Sequence, residues 1–273
     1  MEWFEAIVLG IVQGLTEFLP ISSSAHVSIV GQLLFDGRDP GAAFTAVTQL
    51  GTETAVLVYF WRDITRIVSH WFGSFTGRVP RDDPDARMGW LVIIGSVPIV
   101  VLGLLFQDAI DTSLRNLWVT VAMLAGVAVV LFLADRRADG NTTTLRELSW
   151  RDGIIFGFWQ AAALIPGVSR SGATISGGLL MGYTRQAAAR YSFLLALPAV
   201  FGSGLYKLKD IGQSATSWGP TIAATVIAFV IGYAVIAWLL RFISTHSFRG
   251  FVYYRLGLAA VVAALLLTGV LQA

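Results

Sequence analysis

The chain contains no cysteine, so no disulfide, thiolate metal site or thiol nucleophile contributes to its structure or chemistry. Charge is scarce as well: 13% of the 273 residues are charged and three are histidine. With 55% hydrophobic residues and a mean hydropathy of +0.70, the chain has more apolar surface than a soluble domain of this length could hide. A soluble enzyme is therefore excluded and an integral membrane protein is expected. The net charge of +2 does not point to nucleic acid, because the basic residues cluster in a few loops, as membrane topology requires. No basic residue precedes Arg38, so the apolar start from Trp3 lacks the positive region of a cleavable signal peptide and is expected to be mature structure.

Six apolar stretches are long enough to cross a hydrocarbon core of about 30 Å as helices. They run near 42–61, 88–106, 117–134, 186–206, 220–240 and 251–271. Four shorter stretches, near 3–18, 25–35, 153–165 and 172–183, pair around Pro20-Ile-Ser-Ser-Ser and Pro166-Gly-Val-Ser-Arg-Ser. Broken helices at membrane depth survive only where protein or a wet cavity satisfies the freed backbone groups, so each pair reads as a re-entrant helical hairpin. A shift of 147 residues places Gly10 on Gly157, Gln13 on Gln160, Ser22 on Ser169, Ser24 on Ser171 and Tyr59 on Tyr206. One polytopic domain, 1–273, follows, with repeat units 1–134 and 153–273 joined by a linker at 135–152. Each unit would hold one hairpin and three crossings, an odd number, which inverts the second unit relative to the first.

Loop charge orients this arrangement. Arg62, Arg66, Arg78, Arg81, Arg87, Arg136, Arg137, Arg146, Arg151, Arg185, Arg190, Arg241 and Arg249 fall on one side, which the positive-inside rule makes cytoplasmic. Arg38, Arg115, Lys207 and Lys209 fall on the other, with both termini outside the plasma membrane. The stretch from Arg62 to Arg87, with Pro80 and Pro84, reads as a solvated linker. Trp61 and Trp118 read as interfacial anchors, and Arg255, near the end of its span, as a snorkelling cation.

The hairpin tips hold the chemistry. Pro166-Gly167 ends one helix and Ser169 or Ser171 can cap the next, leaving unpaired N–H groups and a positive dipole end for an anion. Arg170 adds a planar fork that matches phosphate oxygens. Ser22, Ser23 or Ser24 repeats the device at the first tip, and two helix starts facing one cavity suit a diphosphate. His26 lies three residues beyond Ser23, within reach of its proton or of water. Glu17 shares a helix face with Gln13 and could orient His26, act as a base or help hold a cation. With one carboxylate and one amide, Mg²⁺ or Ca²⁺ would need substrate phosphate oxygens to complete its shell. For Glu53, near Gln49 in the first full span, cavity lining and local hydrogen bonding stand level.

The segments from Gly14 to Ser23, with His26, Gln49-Leu-Gly51 and Pro166 to Gly178, closely resemble the undecaprenyl-diphosphate phosphatase family of bacitracin-resistance membrane proteins. The resemblance runs over nearly the whole chain. It implies an interdigitated inverted repeat and hydrolysis of a polyprenyl diphosphate to the monophosphate and phosphate at the outer face, aided by a divalent cation, with a role in recycling the lipid carrier of the cell envelope. It makes Glu17, Ser23, His26 and Arg170 catalytic, with Ser169, Ser171 and Thr174 near the phosphates; Ser22, Ser24 and Gly167, at the same tips, are expected to contact the substrate as well. Gln13 stands where the family accepts Glu or Gln, so a two-carboxylate metal site does not follow from the motif; Ser24-Ala25 replaces a frequent Thr-Gly. The implied partners are the prenyl diphosphate and membrane lipids, with a second copy of the chain as a candidate. A rival class is an alternating-access carrier or flippase for a lipid phosphate, which shares inverted repeats and a midplane anion site.

Overall fold

The computed structural model describes residues 2–35, 41–211 and 217–272, so Arg38 lies outside the described residues. Among them the fold is all helical: α1 (Trp3–Thr16), α2 (Ser23–Leu34), α3 (Gly41–Tyr59), α4 (Trp61–Phe75), α5 (Pro84–Leu105), α6 (Gln107–Asp111), α7 (Leu117–Arg137), α8 (Trp150–Ala161), α9 (Arg170–Leu180), α10 (Arg185–Lys207), α11 (Trp218–Phe242) and α12 (Arg249–Leu267). Five of these helices, α5, α7, α10, α11 and α12, are long and apolar enough to cross a membrane. Valines and leucines stay exposed along them, including Val100, Leu104, Val129, Leu133, Val226 and Val261, which suits contact with lipid chains. Helix α3 spans 19 residues, but Thr45, Thr48, Gln49, Thr52, Glu53 and Thr54 dilute its apolar character. Packing against α10 and α11 shelters much of that polar face, with Thr48, Thr52 and Glu53 fully buried.

Helices from the two ends of the chain interleave: α1 packs on α11, α8 on α5, α3 on α10, and α7 on α12. Glycines at matched positions permit two of the close crossings. A Cβ on Gly10 would come within 2.7 Å of the Ala224 carbonyl oxygen, and one on Gly157 within 2.6 Å of the Gly95 carbonyl oxygen. Only a residue without a side chain lets the α1/α11 and α8/α5 backbones approach so closely.

The polar stretch after the first long helix is a correction to the expected linker, because residues 61–75 form α4. Ile64, Ile67, Val68, Trp71, Phe72 and Phe75 recur at helical spacing among Arg62, Asp63, Arg66 and His70, so one face is apolar although the composition is polar. Arg66 pairs with Asp63 at 3.0 Å and Asp85 at 2.8 Å, and His70 Nδ1 meets Asp83 at 2.9 Å, fastening α4 to the start of α5. The Asp83 carboxylate also caps α5 through the N–H groups of Asp85 and Ala86. The end of α7 and the segment that follows it pack closely too: Asn141 donates to the carbonyls of Leu179 and Tyr183, and buried Asp135 of α7 accepts from Arg185 and from the Phe248 N–H.

Candidate active site

Each helix break follows from residues that cannot continue the helix. After α1 the chain turns through Glu17 to Ile21, where Pro20 offers no N–H, and α2 starts at Ser23. After α8 a short 3₁₀ turn at Ala162–Leu164 leads to Pro166 and to Gly167, whose φ is +91°, and α9 starts at Arg170. Each new helix is preceded by a serine with positive φ, 75° at Ser22 and 70° at Ser169; no other described non-glycine residue has one. Ser169 Oγ accepts from the Gly172 N–H at 3.1 Å and so caps α9. Ser22 makes no such cap; its hydroxyl pairs with that of Ser24 at 3.3 Å.

The two tips meet. Arg170, the first residue of α9, donates through Nη2 to Glu17 Oε1 at 2.7 Å and also to Glu53 Oε1. Glu17 Oε2 accepts from Gln13 Nε2 and from Ser23 Oγ, each at 2.6 Å. Gln13, Glu17, Ser23, Glu53 and Arg170 thus form one network drawn from α1, α2, α3 and α9. Gln13 and Glu53 are fully enclosed, and Glu17 and Ser23 nearly so. Ser171 links the tips a second time, donating to the Leu19 carbonyl at 3.0 Å and pairing with Ser169 at 3.1 Å.

Not every expected residue joins this network. His26 makes no hydrogen bond to the Ser23 hydroxyl; its Nδ1 lies 2.7 Å from the Ser22 carbonyl and its Nε2 lies 2.7 Å from the Tyr254 hydroxyl. A carbonyl only accepts, so Nδ1 carries the proton, and in the neutral ring Nε2 accepts from Tyr254. Ser23 donates instead to Glu17, which makes no hydrogen bond to His26. Thr174 is fully buried, with its hydroxyl bound to the Arg170 carbonyl at 2.7 Å and to Ser192.

Three residues gain a place that their sequence context concealed. Glu53, for which two readings stood level, binds Arg170 directly. Tyr254 has only its aromatic character to mark it, with the imidazole 228 positions away. Arg255 corrects the snorkelling expectation: it is fully buried and donates to five carbonyls. These are Leu124 and Met123 of α7, Pro20 of the first tip, and Gly167 and Val168 of the second. A guanidinium has five N–H donors, so it can tie both irregular tips to one rigid helix where lipid offers no alternative partner. Its position near a helix end suggests solvent; the tertiary fold covers that end with both tips.

Chemically, Glu17 can accept the proton of Ser23, the Arg170 fork can pair with phosphate oxygens, and two helix starts add partial positive charge. Buried oxygens also remain free: Gln13 Oε1 and Glu53 Oε2 have no hydrogen-bond partner, and neither does Arg170 Nη1. Oxygen donors of this kind suit Mg²⁺ or Ca²⁺.

Residues 6–261 match the family model described as bacitracin resistance protein BacA. The chain is 62% identical to undecaprenyl-diphosphatase of Micrococcus luteus over the full length of both proteins. It is 60% identical to undecaprenyl-diphosphatase 2 of Agrobacterium fabrum, covering all of this chain and 99% of that one. It is also 58% identical to undecaprenyl-diphosphatase 2 of Streptomyces coelicolor, covering all of this chain and 97% of that protein.

Proposed function

The chain belongs to the bacitracin resistance protein BacA family, and from that premise we propose that it is a membrane-bound undecaprenyl-diphosphatase. It releases inorganic phosphate from the lipid diphosphate and returns the monophosphate carrier to envelope synthesis. The observation that carries this reading is the Ser23 hydroxyl 2.6 Å from a carboxylate that Arg170 also holds. A carrier that only binds and releases a lipid phosphate needs no hydroxyl aimed at a base, so this contact favours hydrolysis over transport.

In the reaction, Arg170 and the N-termini of α2 and α9 neutralise the diphosphate. Ser22, Ser24, Gly167, Ser169 and Ser171 line the approach, with Thr174 behind them holding the first turn of α9. Ser23 Oγ attacks the terminal phosphorus as its proton passes to Glu17. The bond to the bridging oxygen breaks, and its electron pair leaves with the undecaprenyl monophosphate, which takes up the proton. Water then attacks the phosphoserine, giving one proton to Glu17 and from there to Ser23, and inorganic phosphate departs. His26, hydrogen-bonded to the partly exposed Tyr254, exchanges protons with the surroundings. A divalent cation, Mg²⁺ or Ca²⁺, held near Gln13 and Glu17 with the substrate phosphates, would supply further charge neutralisation.

The membrane arrangement is six crossings, with α3 as the sixth, and two re-entrant hairpins, α1–α2 and α8–α9, in inverted units 1–134 and 153–273 around a linker at 135–152. The matched positive-φ serines and the matched glycines 10 and 157 support it. Loop charge supports an orientation with both termini outside and the site opening outward. Phosphate release from undecaprenyl diphosphate by the purified protein tests the function, with Glu17→Gln as the control; release no faster than the control defeats it. A phosphoserine trapped in a single turnover supports attack by Ser23, whereas an active Ser23→Ala variant without one would transfer the attack to water.

A further inference from the structure

We infer that Glu53, together with Gln13, supplies the protein oxygens of the divalent-cation site, and that Glu17 is reserved for proton transfer and for Arg170. This inference rests on the hydrolase reading and refines its cation, which the motif alone would assign to Gln13 and Glu17. The first ground is the allocation of oxygen atoms. Both oxygens of Glu17 are engaged, Oε1 by Arg170 and Oε2 by Gln13 and Ser23. Glu53 commits only Oε1, and Gln13 only its amide nitrogen. Glu53 Oε2 and Gln13 Oε1 are left buried without partners, on side chains with no exposure at all. A buried acceptor of this kind is costly to leave unsatisfied, more so if charged.

The second ground is charge. Glu17 and Glu53 bind the same guanidinium nitrogen, so two carboxylates face one cation inside the apolar body of the protein. When ionised, the pair exceeds Arg170 by one negative charge, yet the substrate arriving there is itself an anion. A divalent cation resolves both conflicts: it offsets the excess carboxylate and bridges to the phosphate oxygens. The donors are a carboxylate and an amide carbonyl, hard ligands that suit Mg²⁺, Mn²⁺ or Ca²⁺. Arg170 Nη1, also without a partner, stays available to the phosphate.

The test uses Mn²⁺ as the probe, with inorganic phosphate present, and follows its binding to the purified full-length protein by electron paramagnetic resonance. Glu53→Gln should weaken Mn²⁺ binding by about tenfold or more, and should raise the Mg²⁺ concentration needed for half-maximal hydrolysis more than it lowers the rate at saturating Mg²⁺. Gln13→Glu adds a carboxylate without removing Glu53 and should tighten Mn²⁺. Gln160→Met provides a comparison, because Gln160 is equally buried with both side-chain polar atoms unpartnered but is not part of the Arg170 network; it should leave Mn²⁺ binding unchanged. Unaltered Mn²⁺ binding in Glu53→Gln overturns the inference, as does equal weakening in Gln160→Met. Should Glu53→Gln fail to fold, Gln13→Glu decides alone, and no tightening there counts against the inference. If the unaltered protein hydrolyses its substrate but binds no Mn²⁺, only the cation assignment falls. If it does not hydrolyse at all, the functional reading beneath it falls.

Discussion

The two hairpin tips share a backbone and divide the chemistry between them. Each breaks a helix, passes through a serine of positive φ and restarts a helix. Yet the first contributes Glu17, Ser23 and His26, while the second contributes Arg170 and a capping serine. The glutamines diverge in the same way: Gln13 donates to Glu17, whereas Gln160, in the matching place on α8, has no partner. At position 164, matching Glu17, the chain has Leu. In the proposed repeat, the common backbone builds the enclosure and substitution on it separates the proposed base and nucleophile from the cation. Two identical tips would oppose like charge to like charge at low dielectric, where repulsion is strongest.

The division breaks most completely at Arg170. Arg170→Ala should lower hydrolysis by about a thousandfold or more, because it removes the phosphate partner and leaves Glu17 and Glu53 facing each other; initial rates on undecaprenyl diphosphate measure it. Arg170→Lys should recover little, since one ammonium cannot reproduce the fork. At the first tip, Ser23→Ala should cost about a hundredfold or more if the hydroxyl is the nucleophile, with substrate binding nearly unchanged. A comparable rise in KM with kcat intact would make Ser23 a binding group instead.

The common scaffold can be tested separately from the chemistry. Arg255→Met leaves five carbonyls without their donor at both tips and on α7, and should destabilise the protein by roughly 3 kcal/mol or more; thermal unfolding in detergent reports it. Gly10→Ala and Gly157→Ala should each cost about 1 to 3 kcal/mol through matched backbone clashes, and a large inequality would weaken the case for a repeat. The smallest effect sharpens the contrast between the serines. Ser169→Ala should cost about 1 kcal/mol as a lost helix cap, because serine already bears the Cβ strain of positive φ and alanine leaves it unchanged. Ser22→Ala, which removes no cap bond, should cost less.

Much of this design is legible along the chain because it is local. Hydrophobic runs mark α5, α7, α10, α11 and α12 to within a few residues, and the Pro and Gly of the tips locate both breaks. Glu17, Ser23 and Arg170 stand out because polar groups in apolar sequence demand a reason. Helix α4 is concealed, since its alternation of arginines with Trp71, Phe72 and Phe75 averages to a polar composition and only its periodicity reveals a face. Glu53, Tyr254 and Arg255 resist reading for a different reason: each is defined by a partner far away in the chain.

Short-range physics thus settles the helices, their interruptions and the residue types able to handle a phosphate, because hydropathy, ring constraint and side-chain chemistry operate within a turn or two. The folded packing assigns the partners: Glu17 rather than His26 beside Ser23, Glu53 on Arg170, and Arg255 in the interior instead of at the surface. Those choices depend on which helices cross. In a low-dielectric interior a charge takes the nearest group able to satisfy it, however distant that group is in sequence.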